Sequence, residues 1–587
     1  MQGSGVSPKN TLAQKRETGV ARDSNSIPQR QYAVGLTGAN RLTLNTEKAI
    51  PPVGPHTILT RVEAVGLCFS DLKLLQQFDA HPRKAEIVSG LPQEALDEMP
   101  WYVPGAKPTV PGHEAVCRIV AVGGEVRYYT KGERVLVQAD YRTLRTAASN
   151  AAFGYNFEGA LQEYVAFDER VVTEPKTGER FLMPVGEELS ASAVCLVEPW
   201  ACVEDSYVSP ERRGPKAGGR MLVVAESAHK VEGLKEAFAI SGAPARVTIV
   251  AADEKERETV RALGVATRMA TDVAADIAAL PDEAFDDVVY FGAKGTTIEA
   301  LGEKIAKRGI MNIVTGGARI GERVSVAVGR VHYGLTRWVG TAGTSARESY
   351  DYIPATAELR AGDRIEVIGA GGPMGQMHVI RALASGVAGL EITATDFDDA
   401  RLKSLWAKAG PLAEARGIPM HLVNPQRDAP GAAATYVALM APVAALVAEA
   451  IDTGARGLII NIFAGIPVGT RQQIDLDRYI ANRCYMAGTS GSVMRDMKIV
   501  LEKIQSGQLD TNTSVDAISG MAGAIRGLAA VEHRTLSGKI IVYPWIHDLG
   551  LVPLAELAGK LPEVAARLRS GIWTKQAEEE LVRIYRR

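Results

Sequence analysis

A thiol, an imidazole and three carboxylates stand in three short strings of the chain: Gly66-Leu67-Cys68-Phe69-Ser70-Asp71, Pro111-Gly112-His113-Glu114 and Leu196-Val197-Glu198-Pro199. Cys68, His113 and Glu114 are residue types that can fill three corners of a tetrahedral zinc site and leave the fourth for water or a substrate oxygen, as catalytic zinc is held. An open corner means Lewis-acid chemistry at an oxygen. Taken alone, Cys68 would read as a small buried apolar residue, and His113-Glu114 as an exposed turn pair. Their neighbours argue otherwise. The bend Pro111-Gly112 before a β-rich run can aim both side chains into one cleft. Asp71, three positions after Cys68, suits a carboxylate that holds the far ring nitrogen of His113 and fixes its tautomer. Ser70 is placed to relay the proton of a substrate hydroxyl.

A second constellation lies far downstream. The apolar run at 364–368 enters Gly369-Ala370-Gly371-Gly372-Pro373-Met374-Gly375 and then a helix-like stretch at 378–383. Glycines at such a turn let the backbone approach a pyrophosphate at a helix N-terminus. Gly369, Gly371, Gly372 and Gly375 are the candidate contacts. Counted from Gly369, Met374 falls where the third glycine of the dinucleotide fingerprint belongs; counted from Ala370, an alanine takes the first place. Asp396 closes the next strand, 21 positions beyond Gly375. A carboxylate there accepts from ribose hydroxyls and repels a 2′-phosphate, which favours NAD over NADP.

These residues need a scaffold of several domains, in keeping with 587 residues. Residues 31–210 read as a β-rich catalytic domain of short strands between Gly and Pro. The breaker cluster at 213–219 opens a different texture, apolar strands alternating with amphipathic helices, which predicts a doubly wound parallel sheet. That texture occurs twice. Gly218-Gly219-Arg220 aligns with Gly362-Asp363-Arg364, Asn312-Ile313-Val314 with Asn461-Ile462-Phe463, and Gly340-Thr341-Ala342-Gly343 with Gly488-Thr489-Ser490-Gly491, at offsets of 144, 149 and 148 residues. The expected fold class is therefore α/β, a β-rich domain plus two tandem Rossmann-like sheets. The first copy spans 211–350 and the NAD-binding copy 351–500. A return segment at 501–545 rejoins the catalytic domain, and 546–587 is a helical extension. In the first copy the turn reads Ala225-Glu226-Ser227-Ala228-His229-Lys230, with a carboxylate where phosphate would lie, although Asp253 keeps the place of Asp396. It reads as a degenerate copy kept for structure.

Composition narrows the class. The formal charge is −2, from 66 basic and 68 acidic side chains, and no long single-sign run points to nucleic acid or an anionic membrane. Five scattered cysteines do not make a disulfide framework and fit a reducing cytoplasm. Residues 1–30 are polar, read as a mobile tail, and contain no signal-like apolar run. The expected partner is a small molecule.

With these motifs in hand the chain resembles the zinc-containing medium-chain dehydrogenase/reductase family, in its sorbitol and threonine dehydrogenase-like branch, over about residues 31–545. The resemblance implies a GroES-like catalytic domain with Cys68, His113 and Glu114 as zinc ligands. Glu198 would be a fourth ligand or the partner of the metal's water, and Ser70 the proton shuttle. It implies NAD-dependent oxidation of a secondary alcohol of the polyol, sugar or sugar-derivative class. Two alternatives remain open: a redox-neutral sugar epimerase or lyase with retained NAD, and a non-catalytic nucleotide-fold scaffold. Relatives pair dinucleotide domains edge to edge between subunits, so the extra copy is expected to mimic a dimer partner within one chain, and monomer and homo-oligomer both stay open. The chain departs from the family in lacking the four-cysteine structural zinc cluster. It also departs in the 45 positions from Cys68 to His113. That stretch contains Pro100-Trp101-Tyr102-Val103-Pro104, a candidate lid or pocket wall against the alternative of a packed surface loop.

Overall fold

Three sheets organise the molecule, seen in a computed structural model that describes residues 27–429, 431–489 and 491–586. Most of the tail expected at 1–30 lies outside the described residues.

The β-rich half is built on an eight-stranded, mainly antiparallel sheet. Its central strand, Thr57–Gly66, is flanked by Glu114–Val122 and Tyr164–Asp168 and touches Lys539–Val542 at its end. Eight of its ten residues are buried, as expected for a strand covered on both faces. Lys539–Val542 and its parallel neighbour Val515–Ser519 come from the far end of the sequence, so the sheet ties the two ends of the chain together.

Each repeat forms a six-stranded all-parallel sheet. The first runs in the order Ala270–Val273, Arg246–Ala251, Arg220–Ala225, Phe285–Phe291, Ile305–Val314, Arg337–Thr341. The second runs Met420–Val423, Glu391–Thr395, Arg364–Ile368, Tyr436–Leu439, Ile459–Ile462, Tyr485–Ala487. Numbered by chain order within each repeat, both orders are 3-2-1-4-5-6, the doubly wound nucleotide-binding topology. Continuous apolar runs such as Met221-Leu222-Val223-Val224 form these strands because helices cover both faces.

The two repeats join through Val324–Val326 and Gln472–Ile474, which pair antiparallel outside either main sheet. A single hydrophobic core lies across the junction, with Val324, Val326 and Val331 on one side and Ile466, Ile474 and Tyr479 on the other. The C-terminal extension is not one helix. Pro562 interrupts the apolar periodicity after Leu557–Lys560, and the longest helix there is Lys575–Tyr585.

Candidate metal and cofactor site

Local chemistry at the start of one helix positions the first ligand. Cys68 precedes helix Phe69–Gln77, and Asp71 Oδ2 accepts its backbone N–H at 3.0 Å, a cap on the helix entrance. The other oxygen, Oδ1, accepts from His113 Nδ1 at 3.0 Å and from the Gly112 N–H at 3.4 Å. One buried carboxylate thus holds both ligand-bearing segments. With Nδ1 donating to Asp71, Nε2 is the nitrogen that would give its lone pair to a metal, whose charge would displace a proton there. Burial alone would pull the His113 ring down, but the Asp71 charge and hydrogen bond outweigh it and hold the ring well above its ordinary range.

Glu114 opens the strand Glu114–Val122 and reaches the same point. Donor atoms of Cys68, His113 and Glu114 all lie within 4.8 Å of one another. Lys539 Nζ, from the distant strand, donates to Glu114 Oε1 at 2.5 Å, and both side chains are buried. Glu114 Oε2 is buried and has no hydrogen-bond partner. Gly66 makes room for it, since a Cβ there would stand 2.2 Å from Oε2. Ser70 Oγ lies 3.1 Å from both Cys68 Sγ and His113 Nε2, between the ligand atoms. A thiol, an imidazole and a carboxylate converging this closely are the donor set of a three-ligand zinc site. The residues fit the metal.

Glu198 stands in the first turn of helix Val197–Val208 and is not within 4.8 Å of all three ligands. Its Oε1 accepts from Cys202 Sγ, one turn on, at 3.7 Å. Burial raises its carboxyl above the usual range, with His113 opposing, Glu114 adding to the rise, and Lys539 and Arg83 opposing. Its charge therefore meets that of the ligand cluster. Of the two readings of the aromatic cluster, lid or packed loop, the positions of Trp101 and Tyr102 agree with packing. Both are buried in the core, where Tyr102 packs on Phe157 at 5.2 Å and its hydroxyl accepts the Ile87 N–H. Tyr155, His81 and Arg83 lie nearer the ligands instead. Sequence reasoning missed Arg83 and Lys539, because an isolated basic residue has no spacing signal.

In the second repeat the turn after Arg364–Ile368 resolves the two possible registers. Gly369 has φ +83°, and helix Pro373–Ala384 begins with Gly372 as its cap and Pro373 in its first turn. A Cβ on Gly375 would come within 2.2 Å of the Gly369 carbonyl oxygen, so Gly375 is the close-packing glycine and the count runs from Ala370. A Cβ on Gly372 would meet nothing nearer than 3.9 Å, which leaves the mouth of the turn open. Asp396 Oδ2 accepts the Gly371 N–H at 2.9 Å. A glycine turn, free first-turn amides and this acid together fit a dinucleotide.

The first repeat keeps the geometry and closes the space. Asp253 Oδ2 accepts the Ala228 N–H at 3.4 Å, as Asp396 does from Gly371. His229 lies across Gly316, its Cδ2 3.4 Å from where a Cβ would stand and its Nε2 3.3 Å from the Thr315 carbonyl. Side chains occupy the strand ends where the other copy is open.

The alcohol dehydrogenase GroES-like domain family matches residues 54–176. Among curated proteins, the chain is 26% identical over 295 residues to the uncharacterized protein YggP of Escherichia coli, covering 45% of this chain and 66% of that protein. It is 29% identical over 116 residues to sorbitol dehydrogenase of Arabidopsis thaliana, covering 20% of this chain and 26% of that one. A third relative, the uncharacterized zinc-type alcohol dehydrogenase-like protein YphC of Escherichia coli, is 26% identical over 150 residues, covering 24% and 38%. The matches therefore span less than two thirds of these relatives' own lengths. Of the solved structures, 2R,3R-butanediol dehydrogenase from Bacillus subtilis aligns over 88% of this chain and 99% of its own, at 15% identity and a TM-score of 0.49. Among the described residues, no helix is long and apolar enough to cross a membrane. The GroES-like match covers the residues that bear the Cys68, His113 and Glu114 cluster, and over this part the chain is similar to zinc-type alcohol dehydrogenase-like proteins.

Proposed function

We propose that the protein is a zinc-dependent, NAD-linked oxidoreductase that interconverts a secondary alcohol of the polyol or sugar class with its ketone. The observation that carries this reading is the convergence of Cys68, His113 and Glu114 donor atoms within 4.8 Å of one another, beside a buried Glu114 Oε2 that has no partner. When bound, zinc supplies Lewis acidity toward the substrate oxygen and NAD supplies the hydride acceptor. Cys68, His113 and Glu114 would hold the metal, and Glu198, outside their cluster, would serve as a further ligand only on moving inward or as the partner of the metal's water. Asp71 keeps His113 in the ligating tautomer. Lys539 balances the charge of Glu114 so that one oxygen stays free. Ser70 Oγ, beside the ligand atoms, would relay the proton of the substrate hydroxyl, accepting it while passing its own on to solvent. Gly369, Gly371, Gly372 and Gly375 admit the pyrophosphate, and Asp396 holds the adenosine ribose. The first repeat serves as structure in this scheme, in the place of a partner subunit, and the protein acts as a monomer on a small molecule in the cytoplasm.

The test is a panel of polyols and sugars with NAD⁺, following reduced nicotinamide, for wild type and Cys68→Ala. Turnover by the wild type, lost in Cys68→Ala together with bound zinc, supports the reading. Turnover unchanged in the variant, or no reduced nicotinamide from any alcohol in zinc-loaded protein, overturns it.

A further inference from the structure

The stretch between Cys68 and His113 brings a cation to the cleft that the scheme above does not use. After helix Phe69–Gln77, the short turn Pro82–Lys84 carries Arg83 over Tyr155, its guanidinium carbon 5.7 Å from the ring centroid. The same ring lies 5.9 Å from that of His113 and 5.0 Å from that of His81, and its hydroxyl donates to the Ser70 carbonyl at 3.4 Å. One aromatic side chain thus separates Arg83 from a metal ligand. The charge of Arg83 also bears on Glu198.

A guanidinium presents five N–H donors. Among the described residues, the Arg83 side chain makes no hydrogen bond. Its nearest carboxylate is Asp140, at 3.7 Å, and that group is already held by Arg142 Nε at 2.8 Å and Asn150 Nδ2 at 2.7 Å. The Arg83 side chain is 31% exposed, so its fork is open to a solute. An open fork of this kind can take an anion, since bidentate guanidinium pairs with carboxylate or phosphate are among the stronger hydrogen-bonded contacts in proteins.

A second charge stands nearby. Lys73 follows Ser70 by three residues on the same helix, so both lie on one side of it. Its Nζ is 4.0 Å from where a Gly465 Cβ would stand, next to the loop after strand Ile459–Ile462 of the NAD-binding repeat. No Asp or Glu oxygen lies within 4.0 Å of it among the described residues. Burial, Arg83 and Lys73 together push the His81 ring down to about 4, which puts both cations in one electrostatic neighbourhood. Of the acids facing Arg83, Asp140 is shared and Glu198 meets the ligand cluster.

We propose that the alcohol handled here carries an anionic substituent, a phosphate ester or a carboxylate, and that Arg83 is the specificity-determining residue that binds it, with Lys73 adding the second charge. The inference rests on the dehydrogenase reading above and names its substrate class.

The test compares a hexitol, its monophosphate and the corresponding hexonate with zinc and NAD⁺ present. The wild type is expected to show a kcat/KM at least about tenfold higher for a charged compound than for the hexitol, as befits a hydrogen-bonded charge pair. Whichever of phosphate and carboxylate gains identifies the substituent. Arg83→Gln is expected to lower that charged-to-neutral ratio by about tenfold or more, chiefly through KM, and Arg83→Lys, which keeps the charge without the fork, to fall between. Preference of the wild type for the neutral hexitol, or a ratio in Arg83→Gln within about twofold of wild type, overturns the proposal. Calorimetric titration of the monophosphate and the hexonate into zinc-loaded protein without NAD⁺ repeats the comparison without turnover. Failure of every alcohol to reduce NAD⁺ would then count against the dehydrogenase reading, whereas equal binding by wild type and Arg83→Gln would remove the Arg83 site alone. Should Arg83→Gln fail to fold, Arg83→Lys carries both comparisons, and binding equal to wild type there, with no change in the ratio, overturns the fork.

Discussion

Two residues outside the ligand trio govern whether that trio can bind metal. Asp71 satisfies donors from Cys68, Gly112 and His113 at once, so its loss frees both ligand segments. Asp71→Asn is expected to weaken zinc binding by about 10- to 100-fold, read by competition with a chromogenic chelator. Lys539 is different, because its loss strands Glu114 as a buried, uncompensated charge. Lys539→Met is expected to destabilise the zinc-free protein by about 3–5 kcal/mol in denaturant unfolding, and zinc should recover part of the loss. The ligand types and the Cys68-x-x-Asp71 spacing were readable because the chemistry sits in short local strings. Lys539 was not, since it meets Glu114 from 425 residues away, and nothing in a linear pattern marks such a pair. Arg83 was hidden for the same reason inside a stretch whose conspicuous aromatics turned out to pack in the core.

At the scale of elements, apolar periodicity made the parallel strands predictable. The strands at 364–368 and 391–395 are found where β-rich runs end in glycine or aspartate. The register of the glycine turn needed the structure, because it depends on which glycine touches the strand behind it. Gly375→Val would drive its side chain into the Gly369 carbonyl and move the helix from the turn. NAD binding, followed by quenching of protein fluorescence, is expected to weaken by more than about tenfold with the metal site intact. The C-terminal extension has a use that helical spacing did not reveal. Glu578, on helix Lys575–Tyr585, accepts from the Ala191 and Ser192 N–H groups at 2.5 and 2.9 Å and from the Tyr543 hydroxyl at 2.8 Å. It caps the short helix Ala191–Cys195, which runs directly into the helix bearing Glu198. Glu578→Ala is expected to cost about 2–3 kcal/mol in urea unfolding, as the loss of hydrogen bonds to a buried charge implies.

For the whole molecule, the duplication was visible as three similar offsets, but its geometry was not. The offset of 148 that carries Gly340 onto Gly488 also carries Val324 onto Gln472 and Val326 onto Ile474. The observed pairs are Val324 with Ile474 and Val326 with Gln472. Each half thus presents the same short strand to the other in the reciprocal manner of a two-fold dimer interface. The edge used for such pairing is taken up inside the chain, so light scattering is expected to give the mass of one chain. An obligate dimer would show that this edge serves another purpose.

That reciprocal strand pair has a further consequence. Two subunits that meet this way separate when diluted, and selection must keep both copies alike because one gene encodes them. Joined covalently, the halves face each other at a fixed effective concentration, so their union is unimolecular and indifferent to how much protein a cell makes. Freed from having to be identical, one half can fill its own crevice with His229 while the other keeps its mouth open.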